Sequence, residues 1–179
     1  MPDRRTQLAE AALAVVASKG LKGLTHRAVD AQAGAALGTT SNYFRSRAAL
    51  VAAAVDHVEA RDAQLLQQQG SQELPTSLAE LADQLAGAVL ALAHEHADLT
   101  RARFALALDQ PELVAAGHAR MVGGLEHILA SLDESHPRTK AEAVADYGDG
   151  LALHLLTARR GQDLQRSTVA ANVLKLLQG

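Results

Sequence analysis

The chain contains no cysteine and no tryptophan, and only four of its 179 residues are aromatic. The missing cysteine excludes disulfides, thiolate metal sites and cysteine nucleophiles. The apolar residues are mainly alanine and leucine, which favours helices over sheets. No apolar run reaches the roughly 20 residues that span a bilayer, and Glu10 interrupts the apolar stretch near the N-terminus, so no signal peptide is indicated. We therefore expect a cytoplasmic protein with no membrane partner.

Charge is distributed unevenly along the chain, although the net charge is only −3. Residues 1–60 contain seven Lys and Arg against five Asp and Glu, whereas residues 61–179 contain ten against fifteen. A mildly basic head on an acidic body is typical of a nucleic-acid-binding module joined to a second part.

The spacing of apolar residues predicts short helices at the N-terminal end. A first helix is expected from Asp3 to Ser18, with its apolar stripe at helical spacing. Thr25 is a good N-cap for a second helix over 26–33, which Gly34 closes. A third short helix is predicted over Ala36–Phe44.

Longer helices are predicted after this head. Ser46 is expected to cap a helix that begins near Arg47, and the polar segment Gln67–Pro75 is expected to end it as a connector. Further helices are predicted to begin at Thr76 or Ser77 and to cover 101–108, 112–132, the region of Leu151–Leu156, and Val169–Leu177. The predicted fold is all-α with about nine helices, divided into a three-helix helix-turn-helix head over 1–46 and a helical body over 47–179.

The segment AGAALGTTSNYFRSRAAL, residues 33–50, places two of the four aromatic residues beside hydroxyl and amide side chains. Two short helices joined by a tight turn at Gly34 make a helix-turn-helix, whose second helix lies in the major groove of DNA. Small polar side chains suit its outer face because they can hydrogen-bond to base edges. The predicted base contacts are Thr39, Thr40 and Asn42, with Gly38 allowing close backbone approach.

Phosphate contacts are predicted on both sides of this helix. Backbone N–H groups and polar side chains at the start of a helix can hold a phosphate. The predicted phosphate contacts are Thr25, His26, Arg27, Tyr43 and Arg47.

Phe44 is expected to face inward, against the apolar stripe of the first helix. The simpler alternative for the whole segment 33–50 is a polar turn that caps a helical bundle.

The segment from Arg5 to about Val55 resembles the N-terminal domain of TetR-family transcriptional regulators. Two positions depart from the family's pattern: Ala36 stands where a capping serine is frequent, and Ser41 where an aromatic residue is frequent. These departures leave the base preference unpredictable by analogy. The matching motifs are Ser18-Lys19-Gly20, Gly23-Leu24-Thr25, Ala33-Gly34, Gly38-Thr39, Tyr43-Phe44, and Arg47 ahead of Leu50.

The resemblance implies a homodimer whose two heads enter successive major grooves of a palindromic operator. It implies a repressor that a small-molecule effector, of unidentified structure, releases from DNA. It also implies that residues 47–179 form the effector-binding and dimerisation domain. The DNA contacts that the resemblance implies are made by the same residues that are predicted above to contact bases and phosphates.

Apolar stripes within residues 47–179 provide candidate residues for an effector pocket and for a dimer interface. Gly117, Gly123 and Gly124 indicate either close helix packing or space for a ligand, and Gly148 and Gly150 indicate close approach of a partner helix. The candidate ligand-binding residues are Arg101, Phe104, Leu108, His118, Met121 and Leu125. The candidate dimer-interface residues are Leu151, Leu155, Leu156, Val169, Val173 and Leu176.

No enzymatic motif is present: the chain lacks HExxH, GxSxG, a P-loop and a dinucleotide-binding fingerprint. His94 and His96 are two residues apart, so on a helix they cannot share a metal ion. We therefore predict no enzyme, no cofactor and no metal site. Two alternatives stay open, namely a DNA-binding dimer without an effector and a helical metal-dependent enzyme.

Overall fold

The computed structural model describes residues 3–69 and 74–179. Over these residues the chain forms nine α-helices, one 3-10 helix at Leu21–Gly23 and no strand, which confirms the predicted all-α fold. The α-helices are α1 (Arg4–Lys19), α2 (His26–Gln32), α3 (Thr39–Tyr43), α4 (Arg47–Gln69), α5 (Leu78–His94), α6 (Ala97–Asp109), α7 (Pro111–Ser131), α8 (Pro137–Leu156) and α9 (Arg166–Gln178).

Side-chain caps fix several helix starts. The Thr25 Oγ1 accepts a hydrogen bond from the backbone N–H of Ala28 at 3.1 Å, and the Ser46 Oγ accepts one from Ala49 at 3.1 Å. Ser77 caps α5 in the same way. Each cap satisfies an amide that has no partner within its helix, and the predicted starts of α2, α4 and α5 are confirmed.

Predicted boundaries are wrong at the third helix and at the connector, and the helix expected over 101–108 begins earlier, at Ala97. The third helix was expected over Ala36–Phe44, but α3 begins only at Thr39, because Gly38 adopts a left-handed conformation with φ +89° that no helix continues through. The connector expected over Gln67–Pro75 begins later, since α4 runs through Gln69. Residues 70–73 of that connector lie outside the described part of the chain.

The described residues up to Asp62 pack with Asp98–Ala115 as one compact unit, here called the first unit. Its apolar core contains Phe44, which is only 1% exposed, together with residues of α1 such as Leu8 and Val15. The predicted inward orientation of Phe44 is therefore confirmed. The start of α4 also lies in this core, through Leu50, Val51, Ala54, Val55 and Val58.

The described residues of 63–97 and 116–179 pack as a second unit. Its core is formed by the apolar stripes of α5, α7, α8 and α9. The Asp83 carboxylate on α5 accepts a hydrogen bond at 2.7 Å from the Arg166 guanidinium at the start of α9. Helix α5 thus lies against α9 along the chain's own core.

The division into domains at 46 and 47 stays a prediction. Packing groups the first part of α4, and also α6, with the helix-turn-helix. The physical reason is that three short helices bury too little apolar surface to be stable alone. The stripe of α4 and the buried Ala102 and Leu106 of α6 supply the missing surface.

Candidate nucleic-acid interface

Helices α2 and α3 form the helix-turn-helix of the first unit. Helix α2 ends at Gln32, and Gly34 and Gly38 supply the two left-handed residues of the turn, with φ +59° and +89°. Val29 of α2 and Phe44, directly after α3, are both buried in the core of the first unit. The opposite face of α3 is therefore the one that is turned to solvent.

Three predicted DNA contacts lie on this outer face. The side chain of Asn42 is exposed, and Tyr43 is 42% exposed. Thr39 is partly exposed, and its hydroxyl donates to the carbonyl of Ala36 at 2.6 Å, which leaves the oxygen's lone pairs available as acceptors. Amide, phenol and hydroxyl groups are thus available on one short helix.

Thr40 does not lie on the outer face, so its predicted contact with a base edge needs correction. Its side chain is fully buried, and its hydroxyl donates to the Asp30 Oδ1 at 2.5 Å. The residues i and i+1 of a helix point about 100° apart, and in this five-residue helix that rotation turns Thr40 to the interior while Thr39 stays outside.

Asp30 is the buried partner that the sequence did not reveal. Its Oδ2 accepts the backbone N–H of Gly38 at 2.7 Å, and its Oδ1 accepts the N–H of Thr40 at 2.7 Å. Burial by itself raises the pKa of this carboxyl, but the hydrogen bonds from Thr40 and Gly38 and the nearby His26 lower the pKa below its ordinary value on balance. Asp30 is therefore held as a carboxylate.

The three residues predicted to contact phosphate at the start of α2 differ in how far their side chains are free to reach one. Thr25 is exposed and uses its oxygen as the cap of α2. The His26 Nε2 lies 2.6 Å from the carbonyl oxygen of Phe44, so this nitrogen donates inward and fixes the end of α3. Arg27 is exposed and is the clearest cationic side chain at this helix start.

Arg47 has two roles at the start of α4. Its Nη2 donates to the carbonyl oxygen of Leu21 at 2.8 Å, which links α4 to the segment after α1. The residue is nevertheless exposed, and a guanidinium has five donors. Its remaining donors can therefore face a phosphate.

Sequence reasoning missed two residues near this surface. Arg5 of α1 places its guanidinium 4.8 Å from the centroid of the Phe44 ring and 3.5 Å from the carbonyl oxygen of Tyr43. Leu37 is 79% exposed directly before the N-cap of α3. The separation of 38 residues between Arg5 and Tyr43 hides the first contact, whereas an apolar side chain between Gly34 and Gly38 was a readable signal for the second.

The six candidate ligand-binding residues are divided between the units. Arg101, Phe104 and Leu108 of α6 belong to the first unit, and the others belong to the second: His118, Met121 and Leu125 of α7. Arg101 forms an ion pair with Asp98 at 2.7 Å, and Leu108 lines a cleft of about 290 Å³ with Lys19, Leu21 and Lys22. A common pocket for the six stays a prediction.

Five of the six candidate dimer-interface residues are instead buried within the chain's own second unit, which corrects their predicted role. Leu151, Leu155, Val169 and Val173 belong to its core, and Leu156 is also buried. Only Leu176 is partly open, at 36% exposure. Gly148 likewise serves internal packing, because a Cβ there would lie 3.2 Å from the Val89 Cγ2 of α5.

Among the described residues, no group of three or more His, Asp or Glu side chains could hold a metal ion. None of the helices within that part of the chain is long and apolar enough to cross a bilayer.

Comparison with solved structures extends the resemblance to nearly the whole chain. A member of the TetR family from Streptomyces coelicolor A3 is 26% identical, with a TM-score of 0.72 over 98% of this chain and 99% of its own. The multidrug binding protein EbrR, in complex with imidazole, is 26% identical, with a TM-score of 0.71 over 99% of this chain and 91% of its own.

Other solved structures share the same fold. A transcriptional regulator from Rhodococcus sp. shares the fold at 19% identity, with a TM-score of 0.79 over 98% of this chain and 95% of its own. EbrR has also been solved in complex with malachite green, proflavin and ethidium. Neither a scan against protein-family models nor a search of curated proteins gave a match.

Proposed function

Because the chain resembles TetR-family transcriptional regulators over nearly its whole length, we propose that it is a repressor that binds a palindromic operator as a homodimer. A small-molecule effector releases it from DNA, and it acts on the genome in the cytoplasm. The observation that supports this proposal best is the exposed polar face of α3, which carries Asn42 and Tyr43 while Phe44 anchors the same helix in the core.

The residues divide into two kinds of contact. Asn42 and Thr39 present donors and acceptors of the size that reads base edges in the major groove. Arg27 and Arg47, with the hydroxyls of Thr25 and Tyr43, contact phosphates and set the register.

The first test selects bound duplexes from a random pool and measures the affinity of the preferred one. We expect Asn42→Ala to change the preferred base at one position per half-site, at a cost of about 1–3 kcal/mol per half-site of the original operator. Gln165→Ala is the matched control, because Gln165 is an exposed amide directly before α9 and its side chain makes no capping hydrogen bond, and it leaves the preferred sequence unchanged. Failure of the wild-type dimer to select any sequence would exclude the proposed function.

The dimer interface that we propose is the exposed face of α8 rather than its buried stripe. Asp146, Gly150, Leu153 and His154 follow one another at helical spacing and are all exposed. A Cβ added at Gly150 would meet nothing within 4 Å in the chain itself, so this position leaves room for a second helix. Beside this face, the Tyr147 hydroxyl accepts a hydrogen bond from the Asn172 Nδ2 of α9 at 3.3 Å.

We expect Leu153→Glu to convert the dimer into a monomer. Leu153 is 44% exposed, and a symmetric interface would bury two introduced carboxylates close together without partners. Leu113→Glu is the matched control, since Leu113 is 43% exposed on α7, and it leaves the dimer intact. Sedimentation equilibrium measures both variants, and a dimeric Leu153→Glu protein would place the interface elsewhere.

The effector is proposed from the complexes of EbrR with imidazole, malachite green, proflavin and ethidium. Residues of α6 and α7 are the candidates for its pocket, as the sequence predicted. Thermal-shift measurements with these four compounds test the proposal, and any compound that stabilises the protein is then added to the operator complex. A protein that binds operator but responds to no effector in wider screens is instead a DNA-binding dimer without one.

A further inference from the structure

The recognition helix α3 has only five residues, and its N-cap residue, Gly38, provides no side-chain cap. A helix of this length does not form by itself in water. Its place on the protein must therefore be fixed by contacts from outside the helix.

Asp30, on the neighbouring helix α2, makes these contacts at the start of α3. Its carboxylate receives the N–H of Gly38 at 2.7 Å, the N–H of Thr40 at 2.7 Å and the hydroxyl of Thr40 at 2.5 Å. Asp30 is only 3% exposed and Thr40 is fully buried. The clamp formed by Asp30 and Thr40 thus lies beneath the outer face of α3, and DNA cannot reach it.

The same carboxylate occupies amides that would otherwise attract a phosphate. The N-terminal end of a helix carries partial positive charge, and its free N–H groups bind anions. With Asp30 on these groups, the phosphate contacts proposed above do not use the backbone N–H groups at the start of α3. Helix α3 then has its outer side chains free for base edges.

We propose, on the basis of the function proposed above, that Asp30 is a positioning residue that sets the sequence selectivity of this helix-turn-helix. It holds Thr40 inside and thereby turns the neighbouring Thr39, and Asn42 two residues further on, outward in a fixed orientation. When the clamp is lost, α3 shifts, and the base contacts weaken. The phosphate contacts of Thr25, Arg27 and Arg47 persist, because these residues lie at the starts of α2 and α4.

The test compares Asp30→Asn with the wild-type protein on two duplexes, the selected operator and an unrelated sequence of equal length. Asparagine keeps the size of the side chain, but its NH₂ group replaces one acceptor that faces an N–H donor. We expect operator affinity to fall about 10- to 100-fold, as for the loss of a charged hydrogen-bond partner, while affinity for unrelated DNA stays within about twofold. Asp56→Asn removes the same charge from an exposed position on α4 and keeps the selectivity of the wild type.

The outcomes separate this inference from the proposed function. If the wild-type protein selects no sequence, the proposed function fails. If it does select one and Asp30→Asn keeps the ratio of the two affinities, or loses both equally, the positioning role is overturned.

Circular dichroism checks that the variant is folded. Should Asp30→Asn not fold, Thr40→Val and Thr40→Ser replace it. Valine removes only the hydroxyl bond to Asp30 and is expected to lower selectivity, whereas serine keeps this bond and restores it. Equal selectivity in these two variants overturns the inference.

Discussion

Replacement of Phe44 by alanine is expected to remove about 3–5 kcal/mol from the free energy of unfolding, the usual cost of truncating a fully buried phenylalanine. Phe44 is 1% exposed and packs in the core that joins α1, α2, α4 and α6. Its ring also lies 4.8 Å below the Arg5 guanidinium, a contact that contributes about 0.5–1 kcal/mol at an exposed site. Since the total free energy of unfolding of a domain is only about 5–15 kcal/mol, the first unit would lose much of its stability.

The neighbouring tyrosine provides the control. Tyr43→Ala removes a ring of nearly the same size that is 42% exposed, so we expect it to change the free energy of unfolding by less than about 1 kcal/mol. Urea unfolding followed by circular dichroism measures both variants, and amide hydrogen exchange locates the loss of protection. Equal destabilisation by the two variants, or loss of protection confined to the second unit, would contradict the assignment of Phe44 as the anchor.

The second large effect concerns salt. If each head of the proposed dimer places Arg27 and Arg47 on phosphates, four cations displace counterions from the duplex. The logarithm of the operator affinity is then expected to fall with a slope of about −3.6 against the logarithm of salt concentration, which is a loss of about 150-fold between about 50 and about 200 mM.

Arg27→Ala is expected to halve this slope, to about −1.8, because it removes one phosphate contact from each head. The loss applies equally to operator and to unrelated DNA, since a phosphate carries no sequence information. Arg27 is preferred to Arg47 for this experiment, because Arg47 also donates to the Leu21 carbonyl and its removal would disturb the fold.

Arg160→Ala is the matched control, an exposed arginine in the second unit, and it leaves the slope unchanged. Fluorescence anisotropy over a series of salt concentrations gives the slopes. An unchanged slope in Arg27→Ala would remove this residue from the proposed DNA surface.

Local signals were sufficient for the helices and for the helix-turn-helix. The caps at Thr25, Ser46 and Ser77 act within three residues, and the left-handed Gly34 and Gly38 mark the turn by their own backbone preference. The inward orientation of Phe44 could also be predicted, since its ring, unlike that of the neighbouring Tyr43, carries no polar group that favours contact with solvent.

Local signals did not predict which residue of α3 is buried. Thr39 and Thr40 are the same residue type in adjacent positions, and sequence reasoning placed both on DNA. Thr40 lies in the interior because its backbone N–H and its hydroxyl donate to Asp30 of α2, ten residues earlier in the chain.

Residues within one or two turns of each other were enough to predict which segments are helices, where most of the helices begin, and which pair forms the helix-turn-helix. Which surface covers each apolar stripe became known only from how the helices pack. The stripes of α8 and α9 could have met a second copy of the chain, and they meet α5 instead. Helical spacing defines an apolar face but carries no information about which partner buries it, so that choice depends on contacts between residues far apart in the chain.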